Sequence, residues 1–350
     1  MWYNNNYLHY QSNNFEYRNK IASFDIDGTI IKTKSGKTFP INKDDWEFLY
    51  ENTIDKLNEL YSQNYCIILI SNQFILKNNN MIDDWKIKIE NINKKIGIPI
   101  LVYASIKKDI YRKPLPSFWK NILSNINNFD NKESFYCGDA AGRINDHSDT
   151  DYKFALNGKI TFYVPEQLFL NKNILLPPIN YVNLPEHSTK KIKLPFTHEK
   201  NMIIMVGYPA SGKSYISINI LEKLGYFRIN QDTLKTKKKC LDKVNELLQL
   251  EKSVVIDNTN PKKDVRKEYI DLAKKYNYHI ICIHMTTSYE LSLHNNMYRF
   301  WIKQTDIIPT IVFNKFRKDF NEPDKLEGFD EIIKINFNSP IDPEYKLMFI

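Results

Sequence analysis

The chain has no apolar run approaching the roughly 20 residues that span a bilayer, and Met1 to Asn19 is rich in Tyr and Asn where a secretion signal would be apolar. These two absences exclude the membrane-spanning and secreted classes. Cysteine is scarce as well. Cys66, Cys137, Cys240 and Cys282 are scattered, without the short paired spacing of a zinc site. Cys66 and Cys282 sit inside apolar runs, so reduced core thiols in an intracellular, soluble protein are expected. Internal repeats are also absent. What remains is a 350-residue chain, 42% hydrophobic and 26% charged, long enough for two domains with a core each. The net charge of +8 permits an anionic partner without requiring one. Taken alone, the basic clusters Lys107-Lys108, Arg112-Lys113, Lys190-Lys191 and Lys237-Lys238-Lys239 read as solvated faces.

Strand and helix signals alternate through the first half. Ile21 to Phe24 and Cys66 to Ile70 read as buried strands, with a third near Phe135 to Cys137. Helical spacing links Trp46, Leu49, Tyr50, Leu57, Leu60 and Tyr61, then Trp85, Ile89, Ile92 and Ile96 before a stop at Gly97, then Phe118, Trp119, Ile122 and Ile126. Residues 1–20 form an extension with no assigned role, and 21–170 an α/β domain with a mostly parallel sheet. Pro177, Pro178, Pro185 and Pro195, with lysines between them, mark a linker over 171–200. A second α/β domain, 201–350, has strands at Ile203 to Val206, Tyr226 to Ile229, Val254 to Ile256 and Ile280 to Ile283, and a helix face at Ile216, Ile220 and Leu224.

In the first domain Asp25-Ile26-Asp27-Gly28-Thr29 places two carboxylates just past a strand, where open α/β sheets have their ligand crevice. Gly28 lets the backbone turn away and leaves both acids in the opening. Two acids so spaced divide phosphoryl chemistry between a nucleophile and a proton handler, and magnesium would offset their repulsion with the phosphate. Ser71 and Asn72, at the end of the next strand, are placed to hold phosphate oxygens. Lys113 would neutralise the phosphate and the nucleophile, and Asp139 would complete the metal shell.

In the second domain Gly207-Tyr208-Pro209-Ala210-Ser211-Gly212-Lys213-Ser214 fits the G-x-x-x-x-G-K-[ST] loop between a strand and a helix. Its amides would cradle the phosphates of ATP. Lys213 would reach the β- and γ-phosphates, and Ser214 would ligate magnesium. Asp232, after the next strand, is placed to take a hydroxyl proton. Asp257 lies at another strand end, and Arg299 is placed to close over the phosphates.

Asp25/Asp27, Ser71, Lys113 and Asp139 resemble the four motifs of the haloacid dehalogenase-like phosphatases. The resemblance implies an aspartyl-phosphate at Asp25 and Asp27 as general acid and base. It also implies magnesium on Asp25, the Asp27 carbonyl and Asp139, with Asp151 as a supporting carboxylate. With the kinase-like half, the chain resembles the bifunctional polynucleotide 3′-phosphatase/5′-kinases of DNA strand-break repair. Thr33-Lys-Ser-Gly-Lys-Thr-Phe-Pro40, Tyr111-Arg-Lys-Pro114, Gly138-Asp-Ala-Ala-Gly-Arg143, Val255-Ile-Asp-Asn-Thr-Asn-Pro261 and His294-Asn-Asn296 extend the likeness.

That family implies Asp232 as the base for a 5′-hydroxyl, Arg299 in the lid and Arg266 near the substrate, with Asp257 and Arg143 as further substrate or supporting positions. Gln231 and Met297 depart from it, standing where basic residues are common. The implied substrates are DNA ends carrying 3′-phosphate and 5′-hydroxyl, with RNA ends as the nearest alternative and a small phosphorylated metabolite as the next. A phosphatase-then-kinase order resembles the DNA-repair enzymes. The residues before Ile21 leave no room for the forkhead-associated domain of animal relatives, and a monomer is expected. On this reading Lys107, Lys108, Arg112, Arg143, Lys235 and Lys237 to Lys239 become contacts for the nucleic-acid backbone.

Overall fold

The computed structural model describes residues 1–4, 6–178, 200–303 and 305–336. They fall into two compact units, one holding the residues described up to 178 and the other those from 200 onward.

The first unit is built on nine strands: β1 (Trp2–Asn4), β2 (Leu8–Gln11), β3 (Lys20–Phe24), β4 (Ile31–Lys32), β5 (Glu47–Phe48), β6 (Tyr65–Asn72), β7 (Ile100–Ser105), β8 (Phe135–Cys137) and β9 (Thr161–Tyr163). Seven of them form one sheet in the order β1-β2-β7-β6-β3-β8-β9, parallel except for the antiparallel pairs of β2 with β1 and β7. Alternate residues of each central strand feed opposite faces. Ala22, Phe24, Ile67 and Leu69 join one apolar cluster, while Ile21, Cys66, Ile68 and Ile70 join the other. The chain winds outward from β3 through β6 to β7, then crosses to β8 on the other side of β3. The C-terminal ends of β3 and β8 therefore flank the point where winding reverses, the natural crevice of an open sheet.

The second unit carries β10 (Asn201–Val206), β11 (Phe227–Ile229), β12 (Val254–Ile256), β13 (His279–Met285) and β14 (Glu331–Ile335), all parallel, in the order β11-β12-β10-β13-β14. Here the unit's first strand, β10, is central, and the chain reverses across it between β12 and β13.

Both halves have the expected α/β class, and four buried free cysteines accompany it. Four local expectations change. The residues before β3 are not a mere extension, because β1 and β2 extend the sheet and Trp2 packs edge-on to Trp85 with ring centroids 6.0 Å apart. Trp46, Leu49 and Tyr50 are not helical. The helix is Thr53–Ser62, and Trp46 precedes β5, which pairs with β4. The third helix, Ser117–Leu123, ends before Ile126. After the phosphate loop the helix Lys213–Ile216 widens into a π turn, Ser217–Leu221, and tightens again at Glu222–Leu224. Most of the expected linker, including Lys190-Lys191, Pro185 and Pro195, lies outside the described residues. Its first part docks on the first unit, where Ile174 and Leu176 pack against the core and Gln167 donates to the Ile174 carbonyl at 3.0 Å.

Candidate functional sites

Asp25 follows β3 directly, its amide held by the Cys137 carbonyl of β8 at 2.9 Å. Lys113 comes from the loop after β7 and is buried, with its ammonium at the centre of the site. It donates to Asp25 Oδ1 at 2.6 Å, Asp151 Oδ1 at 2.7 Å and the Tyr136 hydroxyl at 2.7 Å. Burial disfavours charge on that lysine, but Asp151 and Asp25 outweigh it and its pKa is raised. Burial also pushes the Asp25 carboxyl well above the usual range. Lys113 pulls it back toward ionisation, while Asp151 and Asp139 add to the rise.

Carboxylate oxygens of Asp25, Asp139 and Asp151 lie within 4.8 Å of one another. Burial, then the neighbouring Asp151 charge, lifts Asp139 to about 6. Crowding of this kind suits a hard divalent cation. Gly28, at φ +80°, makes the room: a Cβ there would stand 2.5 Å from Asp139 Oδ2. Asp151 is already engaged on both oxygens, by Lys113 and by the Ala140 amide at 3.1 Å. That leaves Asp25, through the oxygen not held by Lys113, and Asp139 as the carboxylates open to a cation.

Asp27 is exposed and turned to different partners. Gln73 donates to its Oδ2 at 2.6 Å, and Lys88 lies 3.4 Å from its Oδ1. Gln73 also donates to the buried Ser71 hydroxyl at 3.0 Å. Sequence reasoning missed Gln73, Lys88 and Tyr136. The signal for Lys88 was there, since it shares the apolar stripe of Trp85, Ile89, Ile92 and Ile96 on the helix Asn79–Ile96. Asn72 differs from expectation: its amide accepts from the Lys113 backbone N–H at 2.9 Å and donates to the Lys113 carbonyl at 3.1 Å. It clamps two loops together rather than presenting its side chain to a phosphate.

In the second unit the loop 207–214 follows β10. Gly207 has φ +151°, and a Cβ there would meet Met285 Cβ at 2.8 Å, so β13 runs too close for any side chain. Gly212, at φ +99°, turns the loop into the helix. Thr287 donates to the Ser211 carbonyl at 3.0 Å and Asn295 to the Ala210 carbonyl at 3.1 Å, which fixes the loop's outer rim. Lys213 is buried, its ammonium donating to the carbonyls of Gly207 at 3.0 Å and Tyr208 at 2.5 Å. Burial lowers its pKa to about 8, against the pull of Asp257 and Asp232 and with the push of Arg299. Those three charges are thus close enough to act on Lys213. Ser214, Asp232 and Arg299 are exposed, Asp232 on the short helix Gln231–Leu234 capped by Asn230.

A family profile described as "Polynucleotide kinase 3 phosphatase" matches residues 20–169, and one described as "AAA domain" matches residues 202–323. The bifunctional polynucleotide phosphatase/kinase of Schizosaccharomyces pombe is 39% identical over 333 residues, covering 93% of this chain and 81% of the yeast protein. This chain belongs to the bifunctional polynucleotide phosphatase/kinase family. A protein of Acanthamoeba polyphaga mimivirus is 35% identical over 380 residues, covering 95% of this chain and 89% of its own. The polynucleotide 3′-phosphatase of Saccharomyces cerevisiae is 27% identical over 206 residues, covering 43% of this chain and 87% of its own.

Within this family member two arginines, Arg266 and Arg143, have different surroundings from those the sequence suggested. Arg266 is fully buried. It forks onto Glu327 at 2.8 and 2.6 Å and donates to the carbonyls of Asn260 and Pro261, so it braces the unit and does not face a substrate. Arg143 is spent on Asp146, Glu166 and the Asp139 carbonyl, which makes it a strut for the loop after β8 rather than a backbone contact. Asp257 is buried against Arg228, which donates at 2.6 Å. Lys237 pairs with Glu268 at 2.6 Å. Among the described residues no helix is long and apolar enough to cross a membrane.

Proposed function

We propose that this chain heals DNA ends, hydrolysing 3′-phosphates with residues 21–170 and phosphorylating 5′-hydroxyls with residues 201–350. The observation that carries the reading is the division between two carboxylates two residues apart. Asp25 is buried on Lys113, while Asp27 is exposed on Gln73 and Lys88. Unequal surroundings for paired acids are what separate a nucleophile from a proton donor. Family membership supplies the polynucleotide, and the phosphatase-then-kinase order supports DNA.

In the phosphatase half, Lys113 holds Oδ1 of Asp25 and favours the carboxylate, leaving its second oxygen to attack phosphorus. The P–O3′ bond breaks, and the 3′ oxygen takes its proton from the Asp27 carboxyl. Water then attacks the aspartyl-phosphate and gives its proton to the Asp27 carboxylate. Inorganic phosphate leaves and the Asp25 carboxylate is restored. Asp25, Asp139 and the Asp27 carbonyl would hold magnesium, which when bound offsets the repulsion between carboxylates and phosphate. Ser71 would bind a phosphate oxygen.

In the kinase half, ATP phosphates would lie on the amides of 207–214 with Lys213 and Arg299 over them. Ser214 would hold the accompanying magnesium. Asp232 takes the proton of the 5′-hydroxyl. The O5′–Pγ bond forms as the bond from Pγ to the β,γ-bridging oxygen breaks, and ADP leaves.

A nicked DNA duplex with 3′-phosphate and 5′-hydroxyl, given magnesium and labelled ATP, tests both halves at once. Asp25→Ala should abolish only 3′-phosphate removal, and Lys213→Ala only 5′ labelling. A wild type that leaves both ends untouched while turning over a small phosphorylated metabolite would overturn the proposal.

A further inference from the structure

Phe74 stands in the loop after β6, and three cations gather on its ring. Lys77 Nζ is 3.0 Å from the ring centroid, Lys108 Nζ 5.1 Å and Arg112 Cζ 6.0 Å. None of the three has a carboxylate within 4.0 Å among the described residues, and Arg112 Nη1 is buried without a hydrogen-bond partner. Three like charges at one ring with no anion to balance them are an arrangement that waits for one.

Its place in the fold ties it to the chemistry. Phe74 and Lys77 follow β6, while Lys108 and Arg112 follow β7. The two strands are parallel neighbours, and both loops leave their C-terminal ends, as Asp25 leaves β3. Asn72 and the Lys113 backbone fasten the two loops by their reciprocal hydrogen bonds. Phe74 adjoins Gln73, which bonds Asp27, and Arg112 adjoins Lys113, which bonds Asp25. Each half of the cluster is thus one residue from a group that holds a reacting carboxylate.

Resting on the proposed action at 3′-phosphate ends, we propose that Phe74 is a stacking platform for a base at the 3′ end of the strand. Lys77, Lys108 and Arg112 take the neighbouring backbone phosphates. An aromatic face framed by cations is the chemistry that grips a single strand without reading its sequence, because every base has a π-face. A phosphate group alone, as on a small ester, would use none of it.

The test uses the full chain and three substrates. These are a 5′-phosphorylated single-stranded DNA with a 3′-phosphate, the same strand with its last two nucleotides abasic, and p-nitrophenyl phosphate. Phe74→Leu should lower kcat/KM on the intact strand about tenfold, mainly through KM, and Phe74→Tyr should restore it. Turnover of p-nitrophenyl phosphate should stay within about twofold, which also reports that the variant has folded. Removing the bases should cost the wild type a similar factor and cost Phe74→Leu little, since both changes delete one contact. Lys77→Gln with Lys108→Gln should flatten the salt dependence on the strand by about one to two in log–log slope. An RNA strand should show the same Phe74 dependence, because stacking does not use the 2′-hydroxyl. If the wild type acts on the strand and Phe74→Leu matches it, or if the abasic and Phe74→Leu losses simply add, the platform is wrong. If the wild type hydrolyses p-nitrophenyl phosphate and ignores the strand, the polynucleotide reading falls and the platform with it.

Discussion

Lys88 brings its ammonium 3.4 Å from Oδ1 of Asp27, from a helix position whose side chain is only 4% exposed. The carboxylate it meets is 47% exposed, so the pair joins the interior to the mouth of the phosphatase crevice. Gln73 holds the other oxygen of Asp27. Between them the two donors fix where the Asp27 carboxylate points, the group proposed above to transfer the proton. A small error in that aim is costly, since about 1 Å of misplacement is enough to lose ~100-fold in rate. Lys88→Met should therefore reduce kcat for 3′-phosphate removal by about 10- to 100-fold with KM little changed. Stability should hold, because the carboxylate left without its partner is half-exposed to water and Met fills the volume of the buried lysine. Steady-state kinetics beside a thermal melt would check this. A raised KM with unchanged kcat would place Lys88 in binding instead.

Asp151 acts on the same site through Lys113. Replacing it with Ala would leave the buried ammonium with Asp25 as its one carboxylate, and would free the Ala140 amide as well. Removing one partner of a buried ion pair costs about 3–5 kcal/mol. Asp151→Ala should lower the urea stability of the phosphatase unit by that order and abolish its activity. The 5′-kinase activity, on a separate compact unit, should persist. Urea unfolding with both activities assayed in parallel would check it, and loss of the kinase alone would contradict it.

The chemistry was more legible in the sequence than the supports around it, for a physical reason. Asp25, Asp139 and Gly207 follow the ends of strands whose apolar runs announce themselves, and Lys213 opens the helix after the last of these, so strand and site were read together. β1 and β2 are short strands at one end of the sheet with polar residues interleaved, and nothing local distinguishes them from a tail. Trp46, Leu49 and Tyr50 mimic a helical stripe because aromatic side chains reach the core from a strand and its turns as readily as from a helix. Trp46 packs edge-on to Phe48 at 5.8 Å in just this way. Gln73 meets Asp27, and Tyr136 meets Lys113, across separations in sequence that no spacing records. Arg266 could have been read correctly. It shares a stripe with Tyr269, Ile270 and Ala273 at helical intervals, and a cation on an apolar stripe is a buried brace before it is a substrate contact.

That position yields a prediction separating structure from binding. Arg266→Ala strips Glu327 of its cation and takes a donor from the carbonyls of Asn260 and Pro261, leaving Pro261 with the Asn321 amide. The kinase unit should lose about 3–5 kcal/mol. At a temperature where the variant is still folded, the KM for a 5′-hydroxyl strand should be near that of the wild type. Glu327→Gln should shift stability the same way by a smaller amount, since a neutral acceptor remains. Denaturant melts with KM measured below the transition would check both. A large KM change in a fully folded Arg266→Ala protein would return the residue to the substrate.

Lys213 makes the phosphate loop sensitive to pH in a direction that can be worked out. Its folded pKa of about 8 lies below the ordinary lysine value of 10.5, chiefly because the ammonium is buried. Between those two values the unfolded chain holds more protons at this site than the folded one. Lys213 therefore makes the ligand-free unit more stable as pH rises from about 8 toward 10.5. Nucleotide phosphates reverse the balance by stabilising the charged form, so binding should take up protons. At pH 8 the uptake should approach about half a proton per nucleotide, and fall toward zero near pH 6, where the lysine is already charged. Calorimetry of ADP binding in two buffers of different ionisation enthalpy reads this directly. Lys213→Met should bind more weakly and remove the uptake; an uptake of equal size in that variant would assign the proton to another group.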